Sequence, residues 1–96
     1  MKRGNCYVTC EALYHLLGGK AAGLTPHTVR VGREVHWFLV LAVGSWSVVL
    51  DPTKSQFPRG TAIPYNRARG RGFLTKRPSK RALSMMRAMV YQEGKR

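Results

Sequence analysis

The stretch from His36 to Asp51 constrains the fold of this chain more than any other feature. It reads as two apolar strands, residues 36–43 and 46–51, joined by Gly44-Ser45. A two-residue link with glycine first is a hairpin turn whose twist matches the strands it joins. That turn sets Val43 opposite Trp46. Counting back, Phe38 falls opposite Asp51, and His36 lies one diagonal step away, within reach of a long side chain. Alternation divides the hairpin into two faces. One carries Trp37, Leu39, Leu41, Val43, Trp46, Val48 and Leu50, apolar throughout. The other carries His36, Phe38, Val40, Ala42, Ser47, Val49 and Asp51. A one-residue slip would scramble this separation, so the register is strongly specified.

Helices are expected on either side of that hairpin. Residues 6–17 place Cys6, Cys10, Leu13 and Leu17 on one stripe, with Val8, Ala12 and Leu16 beside it. Asn5 is the predicted N-cap, and Gly18-Gly19 ends the helix at a left-handed position. Residues 27–31 read as a further strand. Pro52 closes the third strand, since proline cannot donate to a sheet. Residues 52–72 read as loop, and Phe73-Leu74 as a brief strand or anchor. Pro78-Ser79 announces a final helix with Ser79 as N-cap and a stripe of Leu83, Met86, Met89 and Val90. The expected class is α+β: one domain over residues 1–96, with an N-terminal helix packed on a small antiparallel sheet and a C-terminal helix. No apolar run approaches the roughly 20 residues of a membrane helix. The basic start Met1-Lys2-Arg3 is followed by no apolar signal core. A cytoplasmic protein with reduced thiols is expected.

Three residues carry the chemistry. Cys6 heads a helix, where free N–H groups and the dipole stabilise a thiolate. The same N–H groups, with the Asn5 side chain, are placed to hold an oxyanion. Of the three histidines, only His36 has a carboxylate predicted on its own sheet face. That carboxylate, Asp51, is the only aspartate in the chain. It would fix the imidazole tautomer and stabilise its cation. Together Cys6, His36 and Asp51 make an activated nucleophile. The plainer readings are a buried structural cysteine and a strand-end ion pair. Cys10, one turn deeper, reads as core. Cys6 and Cys10 lack a second pair at zinc-ligand spacing, so neither a metal nor another cofactor is expected.

The charge is extreme: seventeen Lys and Arg against four acids, a net +13. Such an excess is either a solubilising surface or the footprint of an anionic partner such as nucleic acid, a nucleotide or an acidic protein. Lys76, Arg77, Lys80 and Arg81 crowd the start of the last helix, where positive charge opposes the dipole. Helix starts bind anions readily. With Arg67, Arg69 and Arg71, these residues form the candidate anion-binding surface.

Gly4-x-Cys6 entering a helix that ends at Gly18-Gly19, then His36-Trp37, then Asp51-x-Thr53-x-x-Gln56-Phe57, resembles the small YunG-like group of papain-fold proteins. Short hypothetical proteins of tailed bacteriophages are similar. The resemblance covers roughly residues 4–57, and its most specific element is Asp-x-Thr-x-x-Gln-Phe. It implies a papain-like domain with Cys6 as nucleophile, His36 as base, Asp51 as orienter, and Gln56-Phe57 tucking the loop against the sheet. The expected activity is a cysteine hydrolase or acyl transferase acting on a peptide or other acyl substrate at an amide, thioester or isopeptide bond. For a phage protein the setting would be the host cytoplasm. The alternative is a non-enzymatic basic binding protein for nucleic acid, a nucleotide signal or an acidic host protein, acting on host machinery or defence.

Overall fold

In the computed structural model, which describes residues 5–72 and 77–94, the order of elements is α1 (Asn5–Leu16), β1 (Leu24–Val31), β2 (Glu34–Val43), β3 (Trp46–Leu50), β4 (Arg69–Gly70) and α2 (Lys80–Gly94). The strands form one antiparallel sheet in the order β3-β2-β1-β4. The predicted hairpin forms. Gly44 takes φ +59° while Ser45 keeps a negative φ, the pattern of a type II′ turn. Val43 pairs with Trp46 and Leu39 with Leu50.

The sheet is covered on both faces, but only at one end. On the first face, Cys10, Leu24 and Leu39 form a buried cluster, with Leu13, Tyr14, Trp37, Leu41 and Leu50 packed against it. This is where α1 lies. On the second face, Phe38 and His36 are buried beneath the loop that follows β3. Phe57 meets the His36 ring edge-on at 4.8 Å, and Tyr65 meets Phe38 edge-on at 5.0 Å. Burying each large apolar side chain contributes roughly 1.5–3 kcal/mol. The apolar face of the hairpin is not buried along its whole length, however. Val43, Val48 and above all Trp46 (78% exposed) are open to solvent, and on this face the packed cluster ends at Leu41 and Leu50.

The first helix is hidden on nearly all sides over its first two turns. Cys6, Val8, Thr9, Cys10, Glu11 and Ala12 are all buried, because α1 is packed against β2 on one side and α2 on the other. Gly18 ends it with φ +103°. Leu17, expected on the core stripe, falls past the last helical residue and is half exposed. Strand β1 starts three residues earlier than the sequence suggests, taking in Pro26. The C=O of Pro26 accepts the Arg71 N–H at 2.8 Å. Its missing N–H faces that same side, where β4 is only two residues long. Strand β4 itself lies within the segment read as loop. Gly23 is required where it is: at φ +90° its added Cβ would lie 2.9 Å from the Ala42 oxygen. Phe73-Leu74 lies outside the described residues, and no helix among those described is long and apolar enough to cross a membrane.

Candidate active site

Strand β2 outruns β3. Only Leu39 to Val43 pair with β3, whereas β2 begins at Glu34. Its other neighbour fixes where the spare backbone groups point. Val31 and Glu34 flank the two-residue Gly32-Arg33 turn and form a hydrogen-bonded pair, so Arg30–Val35 and Thr28–Trp37 are non-hydrogen-bonded pairs. Val35 and Trp37 therefore direct their N–H and C=O away from β1, into the gap that β3 leaves. The N-terminus of α1 meets that gap. Cys6 contacts the Val35 oxygen at a long 3.9 Å, and the Trp37 N–H stabilises its sulfur from the same edge.

His36 lies between these two residues in sequence and projects its ring to the second face. Its Nε2 is 2.9 Å from Asp51 Oδ1 and 2.8 Å from Oδ2. The diagonal relationship set by the Gly44-Ser45 turn thus becomes direct contact. Tyr65 donates its hydroxyl to Asp51 Oδ2 at 2.8 Å. The carboxylate is therefore held by an imidazole on one side and a phenol on the other. Phe57 and Phe38 flank the ring at 4.8 and 6.2 Å. With Nε2 committed to Asp51, Nδ1 is the nitrogen left to exchange a proton with Cys6; it is buried and closes no hydrogen bond.

The electrostatics favour separated charge. Burial opposes a thiolate at Cys6, yet the His36 imidazole and the N–H groups of Trp37 and Tyr7 outweigh it and hold the thiol below its usual 9.0. Burial alone would keep His36 neutral. The Asp51 carboxylate, and behind it the Cys6 sulfur, override that and raise the ring from 6.5 to about 9. Both shifts favour the thiolate–imidazolium form over the neutral pair. Cys10 behaves oppositely. Burial raises its thiol well above the ordinary range, with the charges of Cys6 and Asp51 adding to the effect, which leaves it inert. Both cysteines are free. Burial and the neighbouring Asp51 likewise hold Tyr65 protonated, as a donor to that carboxylate.

The structure brings Cys6, His36 and Asp51 together at one end of the sheet. His27 is elsewhere, stacked on Phe38 at 5.7 Å with its Nδ1 3.1 Å from the Thr25 oxygen. Asn5 begins α1 rather than preceding it. Phe57 packs on the site through its contact with the His36 ring. A cleft of about 690 Å³ adjoins the site, with Asp51, Pro52, Lys54, Phe57 and Arg59 in its wall.

The candidate anion-binding residues that are described belong to two segments of the chain. Arg67 and Arg69 are exposed in the segment leading into and forming β4, beside Arg71, whose Nε donates to Thr28 Oγ1 at 3.3 Å. Arg77, Lys80 and Arg81 lie at the start of α2, exposed to solvent. Lys76 lies outside the described residues. The start of α2 already holds an anion of the chain's own. Glu11 accepts the Ser79 N–H at 2.8 Å and the Ser79 hydroxyl at 3.0 Å. An external anion bound by those N–H groups, as the sequence suggests, would have to displace it.

Glu11 and Tyr65 are the site and framework residues that the sequence reading misses. Glu11 had a signal: one of only four acids, placed on a helix between Cys10 and Ala12, in a chain whose last helix starts with uncompensated cations. Tyr65 had none, since its loop has no periodicity to place it. No protein-family model matches the chain, and neither the curated proteins nor the solved structures compared with it contain a match.

Proposed function

We propose that the protein is a papain-like cysteine-dependent hydrolase or acyl transferase acting on an amide, thioester or isopeptide bond. The observation that carries this reading is the coupling of Cys6 to His36 while His36 Nε2 is held by Asp51. The Cys6 thiolate attacks the carbonyl carbon, and the oxyanion forms beside the positive end of the α1 dipole. The imidazolium of His36 gives its Nδ1 proton to the departing amine or thiol, leaving an acyl thioester on Cys6. His36, now neutral, takes a proton from water or from an acceptor nucleophile, which attacks the thioester and frees the enzyme. Asp51 keeps the ring oriented and its cation stabilised, and Tyr65 keeps Asp51 in place. The cytoplasm, where thiols stay reduced, suits a mechanism that needs a free thiolate.

The test is covalent. Incubation with a small aryl thioester, followed by intact-mass measurement, should show one acyl group on the protein at Cys6 and none on Cys6→Ala. Iodoacetamide should alkylate Cys6 at a rate that stays high below the pH at which an ordinary thiol ionises. Equal acylation of Cys6→Ala, or an alkylation profile centred on an ordinary thiol value, would overturn the proposal. The protein would then be the basic binding module that its charge allows. In that case steep salt dependence of binding to an anionic partner would be retained in Cys6→Ala.

A further inference from the structure

The two edges of the sheet are treated differently. The β4 edge is two residues long, contains a glycine, and carries Arg69 with Arg71 beside it. Short, charged edges are how sheets avoid pairing with other chains. The β3 edge has no such device. Its sequence Trp-Ser-Val-Val-Leu contains no charge and no proline, and Trp46 to Val49 are all exposed. The register shows which backbone groups it offers. Val43–Trp46 flanks the two-residue turn and is a hydrogen-bonded pair, as are Leu41–Val48 and Leu39–Leu50. Ser47 and Val49 therefore point their N–H and C=O groups outward, away from β2. Among the described residues no strand pairs with them.

At its C-terminal end this edge runs into the cleft whose wall includes Asp51, Pro52, Lys54 and Arg59. Lys54 and Arg59 are both exposed. An extended segment laid along β3 would thus have one end beside two cations and next to the Cys6–His36–Asp51 cluster.

We propose that the open edge of β3 is the docking strand for an extended, acidic segment of another polypeptide, which adds a fifth strand to the sheet and reaches Lys54 and Arg59 with its carboxylates. This names the substrate class of the proposed hydrolase or transferase and rests on that reading for its catalytic consequence, though not for the docking itself. Charge complementarity selects the occupant. The whole chain is +13, which attracts acidic partners and repels copies of itself. A second copy paired antiparallel across Val48 would bring its uncharged Val43-Gly44-Ser45-Trp46 tip to the cleft, with no acid to meet Lys54 and Arg59. Of the chain's four acids, Glu11 is bound to Ser79 and Asp51 to His36.

The experiment uses the full chain carrying Cys6→Ala, so that docking is read without turnover. The probe is a capped, alternating Val-Glu octapeptide, with a Val-Lys octapeptide as control. Binding is followed by Trp46 emission and by amide exchange. The acidic peptide should bind, the basic one should not, and the Ser47 and Val49 amides should become protected. Val49→Pro removes an outward N–H that β2 does not use, so the fold is retained while affinity falls by roughly tenfold or more. Lys54→Glu with Arg59→Glu should weaken the acidic peptide by a similar factor and admit the basic one. No binding of the acidic peptide, equal binding of both peptides, an unchanged affinity in Val49→Pro, or a dimer in sedimentation that Val49→Pro dissolves would each overturn the proposal. Failure here with intact acylation of Cys6 in the unmodified protein removes the docking strand and leaves the catalytic reading standing. The reverse result removes the catalytic reading alone.

Discussion

The two helices of this protein begin in the same physical situation and end it differently. Each start presents N–H groups without intrahelical partners and the positive end of a dipole. At α2 the need is met by Glu11, a fully buried carboxylate that accepts from both the backbone and the hydroxyl of Ser79. At α1 the group at the helix start is the thiol of Cys6, which faces an imidazole. The carboxylate is an anion whose hydrogen bonds go to the backbone and a hydroxyl, so it fastens one helix to the other. On the proposed mechanism the thiol becomes an anion by giving its proton to His36, and the same kind of N–H group then supports a nucleophile. What separates a fastener from a reactive centre here is the partner behind the anion. The crowd of cations at α2 also finds its explanation, since Glu11 places a negative charge where the dipole and Arg77, Lys80 and Arg81 all favour one.

The sharpest way to break this contrast is to remove what makes the α1 anion reactive. Cys6→Ala should abolish acylation. Asp51→Asn should lower the acylation rate by roughly 10²–10⁴-fold, because the amide neither orients the correct tautomer nor stabilises the imidazolium. Single-turnover mass measurements would check both, and an Asp51→Asn rate near that of the parent would mean that the carboxylate serves structure only. Glu11→Ala should act on the other arm alone. Losing the buried carboxylate strands the Ser79 N–H and leaves a cavity, at a cost of about 2–4 kcal/mol. In a domain of this size each kcal/mol is roughly 4–8 °C in Tm, so calorimetry should show a fall of roughly 10 °C or more, with Cys6 alkylation rates unchanged while the protein remains folded.

A subtler effect sharpens the comparison by proton counting. The His36 value is raised from 6.5 to about 9, so by itself this group stabilises the fold fully below 6.5, and that contribution is lost as pH rises to about 9. The Cys6 value is lowered from 9.0, so by itself it stabilises increasingly as pH rises from the lowered value toward 9.0. Where the folded pair keeps its single proton on the ring, the total bound equals that of the unfolded chain above 6.5, so there the two slopes cancel. Denaturant titrations should find stability nearly flat from the higher of 6.5 and the lowered thiol value up to about 9. Cys6→Ala should unmask the histidine: stability then falls with pH over that window, by on the order of 1–2 kcal/mol. Parallel profiles for the two proteins would mean that sulfur and ring do not share a proton.

The hairpin was legible because its information is local. Gly44-Ser45 fixes the turn, the turn fixes the register, and the register places His36 and Asp51 within reach of one another. The start of α1 and the Ser79 cap of α2 were legible for the same reason. The residues that complete the site were not, because their positions depend on contacts across the chain. Tyr65 reaches Asp51 from a loop whose path is set by Phe57 and Phe38, and no spacing in the sequence encodes that path. The exposure of the tip at Val43 and Trp46 was not legible, because alternation reports which face a residue occupies. It does not report how far the covering helix extends. Glu11 carries no local mark of burial, because an acid inside a helix is usually solvated and only the contact with Ser79, 68 residues later, satisfies its buried carboxylate.

The smallest predicted effect concerns how the α2 fastener is shared. Ser79 accepts the Ala82 N–H at 3.1 Å while its own hydroxyl donates to Glu11. Ser79→Ala therefore removes the cap and one of the two hydrogen bonds to the carboxylate, but leaves the backbone N–H of residue 79 in place. The cost should be about 1 kcal/mol, typical of a lost serine cap. Glu11→Gln keeps an acceptor for that N–H and should also cost less than Glu11→Ala. Because both substitutions act on the same hydroxyl–carboxylate contact, the double variant should lose less than the sum of the singles, by roughly 0.5 kcal/mol or more. Strict additivity in urea titrations would mean that the serine caps its helix without help from Glu11. The two helix starts would then differ in more than the partner behind the anion.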